Sequence, residues 1–405
     1  MSPFLSIFAL CDKVSMQASA FNRGPQSSTG GSHMQLEDSL DLPLSSELVA
    51  RIAGDVYRRQ LIHDPEFVRL FDGTWDLPLE QELANATGEL LSGLLLGSEK
   101  LFGRYLSWFS VIARGAGIQG HQLRSHLRLY RSTLQQHLTR ELRLRLEQLI
   151  NVAEASLDSI PEAVPCCSTP HDPYTDLCQS YLAALLDGDK HAAHEVIDTY
   201  LREHSDLRGV FTHLLQPVQQ ELGRLWELGK LTPAEEHLGT AITQSIMARL
   251  DPMIFRSTRV GKSFVGACLD QERHDIGMRF VTAFFEMDGW DTFFLGSATP
   301  RAGLIKFLIN KQPSVIGLSC SIGLHLPALK ATIAEIREQP ELQTTPILVG
   351  GAPFNADPAL AELVGADAYA TDAARAVQYA ETALAAAASA SAAAADNGSN
   401  SVAGH

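Results

Sequence analysis

The sequence predicts a multidomain protein in which two helical domains precede a C-terminal, doubly wound parallel α/β domain. Three observations support this prediction. Apolar residues recur every three or four positions through much of the first 250 residues, as in amphipathic helices. From about residue 262, short β-rich runs alternate with helical segments, as in a parallel sheet. The 405 residues are enough for two or three domains.

The composition is that of a globular protein, with 45% hydrophobic and 20% charged residues. Asp and Glu number 47 against 32 Lys and Arg, which gives a formal net charge of −15. This acidic excess disfavours binding to DNA or to anionic lipid. No apolar run reaches the ~18 residues of a membrane-spanning helix, and six cysteines are too few for a disulfide scaffold. We therefore expect a cytoplasmic protein that contacts neither membrane nor DNA.

Composition and periodicity divide the chain into segments. The first is rich in Ser, Gly and Gln and is expected to be disordered, in part as a tag, because Gly31-Ser-His-Met34 looks like a cloning scar. The predicted segments are a disordered 1–45, a helical sensor domain 46–158, a Pro-rich linker 159–173, a helical cap 174–252, an α/β domain 262–385, and an Ala/Ser-rich disordered tail 386–405.

One helix of the first domain is predicted to have both an apolar and a basic face. Apolar residues recur at spacings of three and four from Leu123 to Leu142. The same stretch carries the arginines Arg124, Arg128, Arg131, Arg140, Arg143 and Arg145. These side chains form either a solvated surface or a seat for the carboxylates of a ligand or partner, for which arginine is well suited.

The last helix of the second block has a clear start signal. Thr232 is predicted as its N-cap, Pro233 as its first residue, and Glu235 as the partner that closes a capping box. Glu236 and His237 then fall in the first helical turn. The helix dipole there favours an anionic Glu and a neutral His.

The α/β domain contains five strand-like runs, 263–269, 291–296, 314–319, 346–350 and 366–370. Parallel sheets of this kind bind ligands at the carboxyl ends of their strands. The residues expected there are Glu272, His274, Asp275 and Gly277 after the first strand, Ser319 and Ser321 after the third, and Gly350 and Gly351 after the fourth. An imidazole beside a carboxylate is typical of metal ligands, whereas dinucleotide and P-loop motifs do not occur in the sequence.

Together, Glu272-x-His274-x-x-Gly277, the Ser319/Ser321 loop and the Gly350-Gly351 pair resemble the cobalamin-binding domain, whose fold is flavodoxin-like. The family motif begins with Asp where this chain has Glu272. The preceding helical block resembles the four-helix cap of that domain, so the resemblance covers about half of the chain. It implies a cobalamin cofactor, with His274 as the lower axial ligand of cobalt and Glu272 hydrogen-bonded to it. The serine and glycine residues would then line the slot for the nucleotide tail.

A second motif lies in the cap. Trp226 is followed, after nine residues, by Glu236 and His237, and this spacing resembles that of the light-sensing adenosylcobalamin proteins. The resemblance implies that these three side chains contact the adenosyl group. It also implies a photoreceptor rather than an enzyme, which signals through a light-dependent homo-oligomer to an unknown downstream protein. Glu227 stands where the DNA-binding photoregulators carry a His.

The placement of an extra helical domain before the cap is similar to that in photocobilins, which hold both cobalamin and biliverdin. The resemblance implies a biliverdin whose two propionates are received by the Arg-rich helix, together with His126 and His137.

Other functions stay open at this point. A corrinoid protein of a methyltransferase system shares the cap and the cobalamin domain. A mutase subunit would need a substrate barrel of ~250 residues, for which the chain has no room. A haem-binding or empty variant of the domain could serve as a redox-responsive adaptor. Spectra of the bound chromophore would separate these functions.

Overall fold

The computed structural model describes residues 46–73, 78–157, 173–269 and 271–400. Two compact units divide between Leu250 and Asp251. The predicted disordered segment 1–45 lies outside the described residues, as does the predicted linker 159–173 except for its last residue. None of the helices in the described part combines the length and apolar character needed to cross a bilayer.

The first helical domain is built around one hydrophobic core, which extends from Leu48 to Leu157. Its described helices are α1 (Ser46–His63), α2 (Pro65–Asp72), α3 (Leu79–Leu96), α4 (Glu99–Gly115), α5 (Gly120–Leu134) and α6 (Arg140–Ser156). Helix α3 is central, because it is buried on nearly every side from Ala86 to Leu94. A helix that is buried on all sides lies in the interior of its domain, and here the buried residues include the polar Thr87, Glu89 and Ser92.

The apolar stripe from Leu123 to Leu142 is not one helix, so that prediction was wrong. Helix α5 ends at Leu134, and α6 begins after Thr139, whose side chain accepts a hydrogen bond from the backbone N–H of Leu142. The apolar spacing continues across the break because Leu138, in the turn, is buried in the same core. The six arginines are therefore divided between two helices.

The second helical block is a four-helix cap. Its helices are α7 (Thr175–Leu186), α8 (Lys190–His204), α9 (Gln216–Glu227) and α10 (Pro233–Ile254). A short helical turn, Leu207–Gly209, and a π-helical stretch, Val210–Leu215, lead directly into α9. Pro217 explains the π-helical stretch, because it lacks an N–H and its ring would clash with the carbonyl four residues earlier.

The predicted capping box of α10 is confirmed. The backbone N–H of Thr232 donates to Glu235 Oε2 at 2.7 Å, and the backbone N–H of Glu235 donates to Thr232 Oγ1 at 3.3 Å. This reciprocal pair satisfies N–H groups that the helix itself leaves without partners. It also fixes the direction in which the first turn, with Glu236 and His237, leaves the preceding loop.

The second unit has the predicted doubly wound parallel sheet. Its strands are β1 (Ser263–Cys268), β2 (Asp291–Phe294), β3 (Val315–Ser319), β4 (Ile347–Gly350) and β5 (Ala368–Ala370), in the order β2-β1-β3-β4-β5, with every pairing parallel. Its helices are α11 (Ile276–Met287), α12 (Arg301–Lys311), α13 (Leu326–Arg337), α14 (Ala352–Ala356), α15 (Leu360–Val364) and α16 (Ala373–Asn400). Helix α11 packs on β1, where the Phe264 and Phe285 rings stack with centroids 4.0 Å apart.

Helix α16 corrects the predicted C-terminal boundary. It continues to Asn400, so the segment predicted as disordered from residue 386 is helical up to that point. The alanine-rich composition of this stretch favours a helix, since Ala has the highest helix propensity.

A carboxylate is buried in the core of the first domain. Glu82 is 1% exposed, and Tyr105 donates its hydroxyl hydrogen to Glu82 Oε1 at 2.7 Å. Burial raises the pKa of Glu82 to about 7, although hydrogen bonds from Tyr105 and Asn85 oppose this, and the nearby acid Glu89 adds to it. Burial also lowers the pKa of His126 in the same core to about 4.

Replacing the buried acid should change how stability depends on pH. Because the folded state holds the Glu82 proton up to about pH 7 and the unfolded state releases it near 4.5, Glu82 lowers the free energy of unfolding as pH rises between these values. His126 acts with the opposite sign, since its stabilising contribution is lost as pH falls from 6.5 to about 4. We therefore expect the stability of Glu82→Gln relative to the parent protein to increase by up to ~3 kcal/mol as pH rises from 4.5 to 8.

Urea unfolding at a series of pH values checks this prediction. Glu80→Gln, which replaces an exposed acid on the same helix, is the matched control. A Glu82→Gln difference that does not change with pH would contradict the prediction.

Candidate functional site

The order of the strands places a ligand site at the end of one strand pair. β1 lies between β2 and β3, so the chain leaves β1 toward one neighbour and later returns to the other. This is the topological switch point, where loops at the carboxyl ends separate and leave a crevice. Cys268, at the end of β1, is the register partner of Ser319, at the end of β3. The loops that carry His274 and Ser321 follow these two positions.

The carboxylate of Glu272 is the centre of this crevice. One oxygen, Oε1, accepts hydrogen bonds from His274 Nδ1 at 2.6 Å and from the His274 backbone N–H at 3.0 Å. The other, Oε2, accepts from the Ser321 backbone N–H at 2.7 Å and from His325 Nδ1 at 3.2 Å. The carboxylate therefore joins the loop after β1 to the loop after β3. The family motif has Asp at this position, and the longer side chain of Glu272 still reaches the imidazole.

These hydrogen bonds keep Glu272 ionised although it is 1% exposed. Burial by itself raises the pKa of the Glu272 carboxyl, but the hydrogen bonds from His274 and His325 and the electrostatic attraction of these imidazoles outweigh it. The net result is a pKa well below its usual range. An ionised acceptor on Nδ1 orients the His274 ring and increases its strength as a ligand through Nε2.

The serine and glycine residues of the crevice contribute mainly through their backbones. Ser319 is nearly buried at the end of β3, and Ser321 uses its backbone N–H, not its hydroxyl, to hold Glu272. Gly351 has φ +119°, and a Cβ there would lie 2.0 Å from the carbonyl oxygen of Cys320. Gly351 is thus required by the fold itself. Gly350 lies beside Ser319 in the sheet register.

Gly277 differs, because a Cβ at this position would have no atom within 4 Å. The fold leaves open space beside the first turn of α11, two residues after Asp275. Burial raises the pKa of the Asp275 carboxyl, although Arg279 and Ser297 oppose this. A side chain at position 277 would therefore not be opposed by the fold itself.

His325 is the site residue that the sequence analysis missed. It lies in a 3₁₀ turn, Gly323–His325, directly before α13. A signal was available, because a polar residue between the third strand and its helix lies on the same edge of the sheet as His274.

The other predicted residues lie in the cap, which belongs to the first unit. Trp226 is half-buried near the end of α9, and Glu236 and His237 follow in the first turn of α10. Glu236 Oε2 lies 3.9 Å from His237 Nε2. Burial lowers the pKa of His237, which favours the neutral imidazole expected at a helix N-terminus.

A polar network inside the cap holds Glu236. Thr240 Oγ1 lies 2.9 Å from Glu236 Oε1 and 3.0 Å from Gln219 Oε1, so its hydroxyl can donate to either oxygen. Gln219 Nε2 donates to Thr243 Oγ1 at 2.7 Å, and Thr243 shares a hydrogen bond with Tyr181 at 2.8 Å. The network links the first turn of α10 to α9 and α7, and it thereby holds the Glu236 carboxylate in place.

Three basic residues predicted to receive ligand carboxylates have hydrogen-bond partners within the first domain. His126 is buried, where its Nδ1 donates to Gln60 Oε1 at 3.0 Å, and His137 Nε2 lies 3.0 Å from Asp55 Oδ2. His126 is too deeply buried to receive a ligand carboxylate, which corrects its predicted role, whereas the role of His137 stays a prediction. Arg128 likewise donates to Glu154 at 2.9 Å, but its side chain is 63% exposed.

Arg128 also lines a groove of about 610 Å³ between α1 and α5. The remaining lining residues are Arg59, Ile62, His63, Ser125, Leu129 and Ser132. The groove combines two guanidinium groups with an apolar surface, and Ile62 is 84% exposed. It is an open groove on the surface, not an enclosed cavity.

Comparison with known proteins agrees with this architecture. Residues 262–378 match a family model described as B12 binding domain, and residues 177–251 match a second model with the same description. The HTH-type transcriptional repressor CarH of Myxococcus xanthus is 28% identical over 186 residues, which are 45% of this chain and 60% of that protein. Dimethylamine corrinoid protein 1 of Methanosarcina acetivorans is 30% identical over 168 residues, which are 41% of this chain and 78% of that protein.

Among solved structures, the monomethylamine corrinoid protein of Methanosarcina barkeri aligns with a TM-score of 0.45 and 19% identity, over 52% of this chain and 98% of that chain. The matched part of this chain spans 60% of the length of the CarH protein and 78% of the length of dimethylamine corrinoid protein 1.

The fold and the crevice define a corrinoid-binding α/β domain with a helical cap. The chain belongs to the family of B12-binding-domain proteins and binds cobalamin. The residues present fit this cofactor. His274, with the carboxylate of Glu272 on its Nδ1, has the chemistry of an axial metal ligand.

The two glycines near the crevice should respond differently to substitution. In Gly277→Ala the new Cβ enters open space and improves helix propensity, so the apoprotein should keep or slightly raise its melting temperature while cobalamin affinity falls. In Gly351→Ala the Cβ meets the Cys320 carbonyl and the backbone is strained, so the apoprotein itself should lose at least ~1 kcal/mol of stability.

Thermal melts of the apoprotein and cobalamin titrations of both variants measure the two effects separately. Gly277→Ala that binds cobalamin as tightly as the parent protein would show that the open space is not part of the site.

Proposed function

We propose that the protein is a light sensor that binds adenosylcobalamin and signals through a change in its own assembly. The observation that carries the proposal is the cap motif. Trp226 lies near the end of one helix, and Glu236 and His237 lie in the first turn of the next, where a capping box and a polar network hold them. These residues would contact the adenosyl group, as the spacing shared with light-sensing adenosylcobalamin proteins implies.

His274 would be the lower axial ligand of cobalt. Glu272 would keep its Nδ1 protonated and its Nε2 available to the metal, since the 2.6 Å hydrogen bond fixes the tautomer and the ring orientation. Ser319, Ser321, Gly350 and Gly351 would line the slot for the nucleotide tail. Asp275 and Gly277 would line the approach beside His274.

When bound, adenosylcobalamin supplies a cobalt–carbon bond that visible light breaks. The cap residues would lose the group that they enclose in the dark. A cavity the size of a large side chain costs a few kcal/mol, so Trp226 and its neighbours would repack. That free energy is enough to shift an equilibrium between two packing or interface states.

The structure offers a route from the cap to the first domain. Helix α9 ends one residue after Trp226, and the next residue, Leu228, packs against the hydrophobic core that extends from Leu48 to Leu157. A displacement of Trp226 would therefore also move Leu228, which packs against the core of the first domain. The proposed signal is this displacement together with a change in quaternary structure, read by a downstream protein of unknown identity.

The alternative is a corrinoid protein of a methyltransferase system. The relationship to a dimethylamine corrinoid protein favours it. Such a carrier exposes the upper face of its cofactor to partner enzymes, and Trp226 with Glu236 and His237 would obstruct this. The photoreceptor function is not enzymatic, and the net charge of −15 does not favour direct binding to DNA.

Light should change the assembly of the adenosylcobalamin-loaded protein. We expect different masses in dark and light by size-exclusion chromatography with light scattering, and no such change with methylcobalamin, which lacks the adenosyl group. Trp226→Ala should reduce both the preference for adenosylcobalamin and the light-driven change. Leu238→Ala, at an exposed position next to His237, is the matched control and should behave as the parent protein.

Equal affinity for both cofactors would favour the methyl-carrying protein. Identical mass and elution in dark and light, with the spectral change confirmed, would exclude assembly as the output.

The first domain is proposed to hold a second chromophore, biliverdin, in the groove between α1 and α5. Its two propionates match the two guanidinium groups of Arg59 and Arg128, and Ile62 and Leu129 provide an apolar surface for the tetrapyrrole. The exposure of Ile62 supports this, since a large apolar side chain at 84% exposure gains stability when a ligand covers it.

Titration of the apoprotein with biliverdin tests the groove. The double variant Arg59→Ala/Arg128→Ala should weaken binding at least ~10-fold, because each substitution removes a charge-assisted hydrogen bond. Arg140→Ala, on α6 and away from the groove, serves as the control. Unchanged affinity in the double variant would place the site elsewhere, and a protein that takes up no biliverdin would have no second chromophore.

A further inference from the structure

We propose that residues 36–44 of this chain dock on the outer face of α1 and cover the groove between α1 and α5. These residues lie outside the described part of the chain, directly before α1 begins at Ser46. The occupant is therefore a segment of the same molecule, and it covers a groove that is otherwise open to solvent. The docking itself requires no cofactor.

The surface of α1 presents positive charge to such a segment. Arg59 donates to Thr133 Oγ1 at 3.2 Å and to Gln136 Oε1 at 2.9 Å, and both acceptors are neutral. Arg51 and Arg58 are exposed on the same helix. In a chain with a net charge of −15, a face with several arginines attracts an acidic segment.

The same surface also has an apolar part. Ile62 is 84% exposed and Leu61 is 45% exposed at the end of α1, and Leu129 of α5 lines the groove beside Ile62. Neighbouring exposed apolar side chains that are flanked by charged residues are typical of an interaction site. Because the groove is open to solvent, an extended chain can lie in it.

The segment 36–44 is complementary to this surface. It contains three acidic residues, four leucines and neither Lys nor Arg. Leu40, Leu42 and Leu44 alternate with Asp41 and Pro43, and a proline disfavours helix at the residue before it. The sequence therefore favours an extended chain that presents leucines on one side and carboxylates on the other.

The position of the segment in the chain makes the contact possible. Ile62 follows Ser46 by 16 residues, which is ~24 Å along a helix. An extended chain covers ~3.3 Å per residue, so the residue about seven positions before Ser46 can lie beside Ile62. The acids at positions 37, 38 and 41 can thus reach Arg59. The segment also follows Gly31-Ser-His-Met34, so it is not part of the expected tag.

The docked segment would regulate access to the groove. Its carboxylates would meet Arg59 and Arg128, the two residues proposed to receive the propionates of biliverdin. Segment and ligand would then exclude each other, and the apparent affinity for the ligand would fall in proportion to the covered fraction. This consequence rests on the proposed function, whereas the docking does not.

Photo-cross-linking of the full-length apoprotein tests the contact directly. The photoreactive residue p-benzoylphenylalanine replaces Leu40, and the cross-linked peptides are identified by mass spectrometry in dilute protein at low salt. We expect cross-links to residues 59–63 or 125–132, with a yield that falls as salt screens the charges. The same photoreactive residue at Phe21 is the control and should give at most a small fraction of this yield.

A charge exchange tests the complementarity. Glu37→Lys/Asp38→Lys/Asp41→Lys should lower the cross-linking yield at least ~5-fold, because three attractive charges become repulsive. Arg59→Glu/Arg128→Glu should have the same effect, and the combination of both sets should restore the yield. Glu338→Lys/Glu341→Lys/Glu362→Lys, which makes the same change of charge at exposed positions of the second unit, should have the parent yield.

Several results would overturn the proposal. These are cross-links from position 40 to other regions only, equal yields from positions 40 and 21, or a yield that the segment variants leave unchanged. Cross-links between two molecules would assign the groove to a second copy instead. The segment variants leave every residue of the first domain unchanged, so the test stays decisive even if Arg59→Glu/Arg128→Glu fails to fold. A protein that cross-links as expected but takes up no biliverdin would retain the docking and lose only the second chromophore.

Discussion

The candidate site depends on one ionised carboxylate that is almost completely removed from water. Burying such a group is costly unless hydrogen bonds compensate for the lost hydration. Glu272 receives four of them, from two loops that the strand order brings to the same crevice. If one of these donors were absent, the remaining charge would be poorly compensated. The orientation of His274 and the packing of the Ser321 loop are therefore consequences of the same interaction.

Acidic side chains with little exposure occur in all three domains, and their surroundings differ. Glu272 is ionised, because imidazoles and backbone N–H groups surround it. Glu82 is buried in the core of the first domain beside Tyr105, Asn85 and Glu89, and burial raises its pKa to about 7. Glu236 lies in the first turn of a helix, where the hydroxyl of Thr240 lies 2.9 Å from its Oε1. Hydrogen-bond donors therefore decide how each of these carboxyl groups is accommodated.

Local patterns predicted much of the fold. The strands of the α/β domain and the capping box of α10 were predictable because β-rich runs and the Thr232-Pro233-x-Glu235 sequence act within a few residues. Contacts between residues that are far apart in the sequence could not be predicted in this way. His325 lies 53 residues from Glu272, and the break before α6 was hidden because Leu138 kept the apolar spacing in a turn. The carboxylates that bind Arg128 and Arg131 come from another helix, which no local spacing of the arginines could reveal.

The end of α9 connects the cap to the first domain, so a movement of Trp226 at the cofactor would also affect the core of the first domain. Trp226 and Leu228 are separated by one residue, and Leu228 packs against the core of the first domain. Because packed cores have discrete arrangements, a helix end that contacts both regions cannot move in one without changing the other. The polar network from Glu236 to Tyr181 holds the opposite side of the same turn. In the proposed sensor, α9 is therefore the element on which the adenosyl group would act, and the loop after it would carry the change to the first domain.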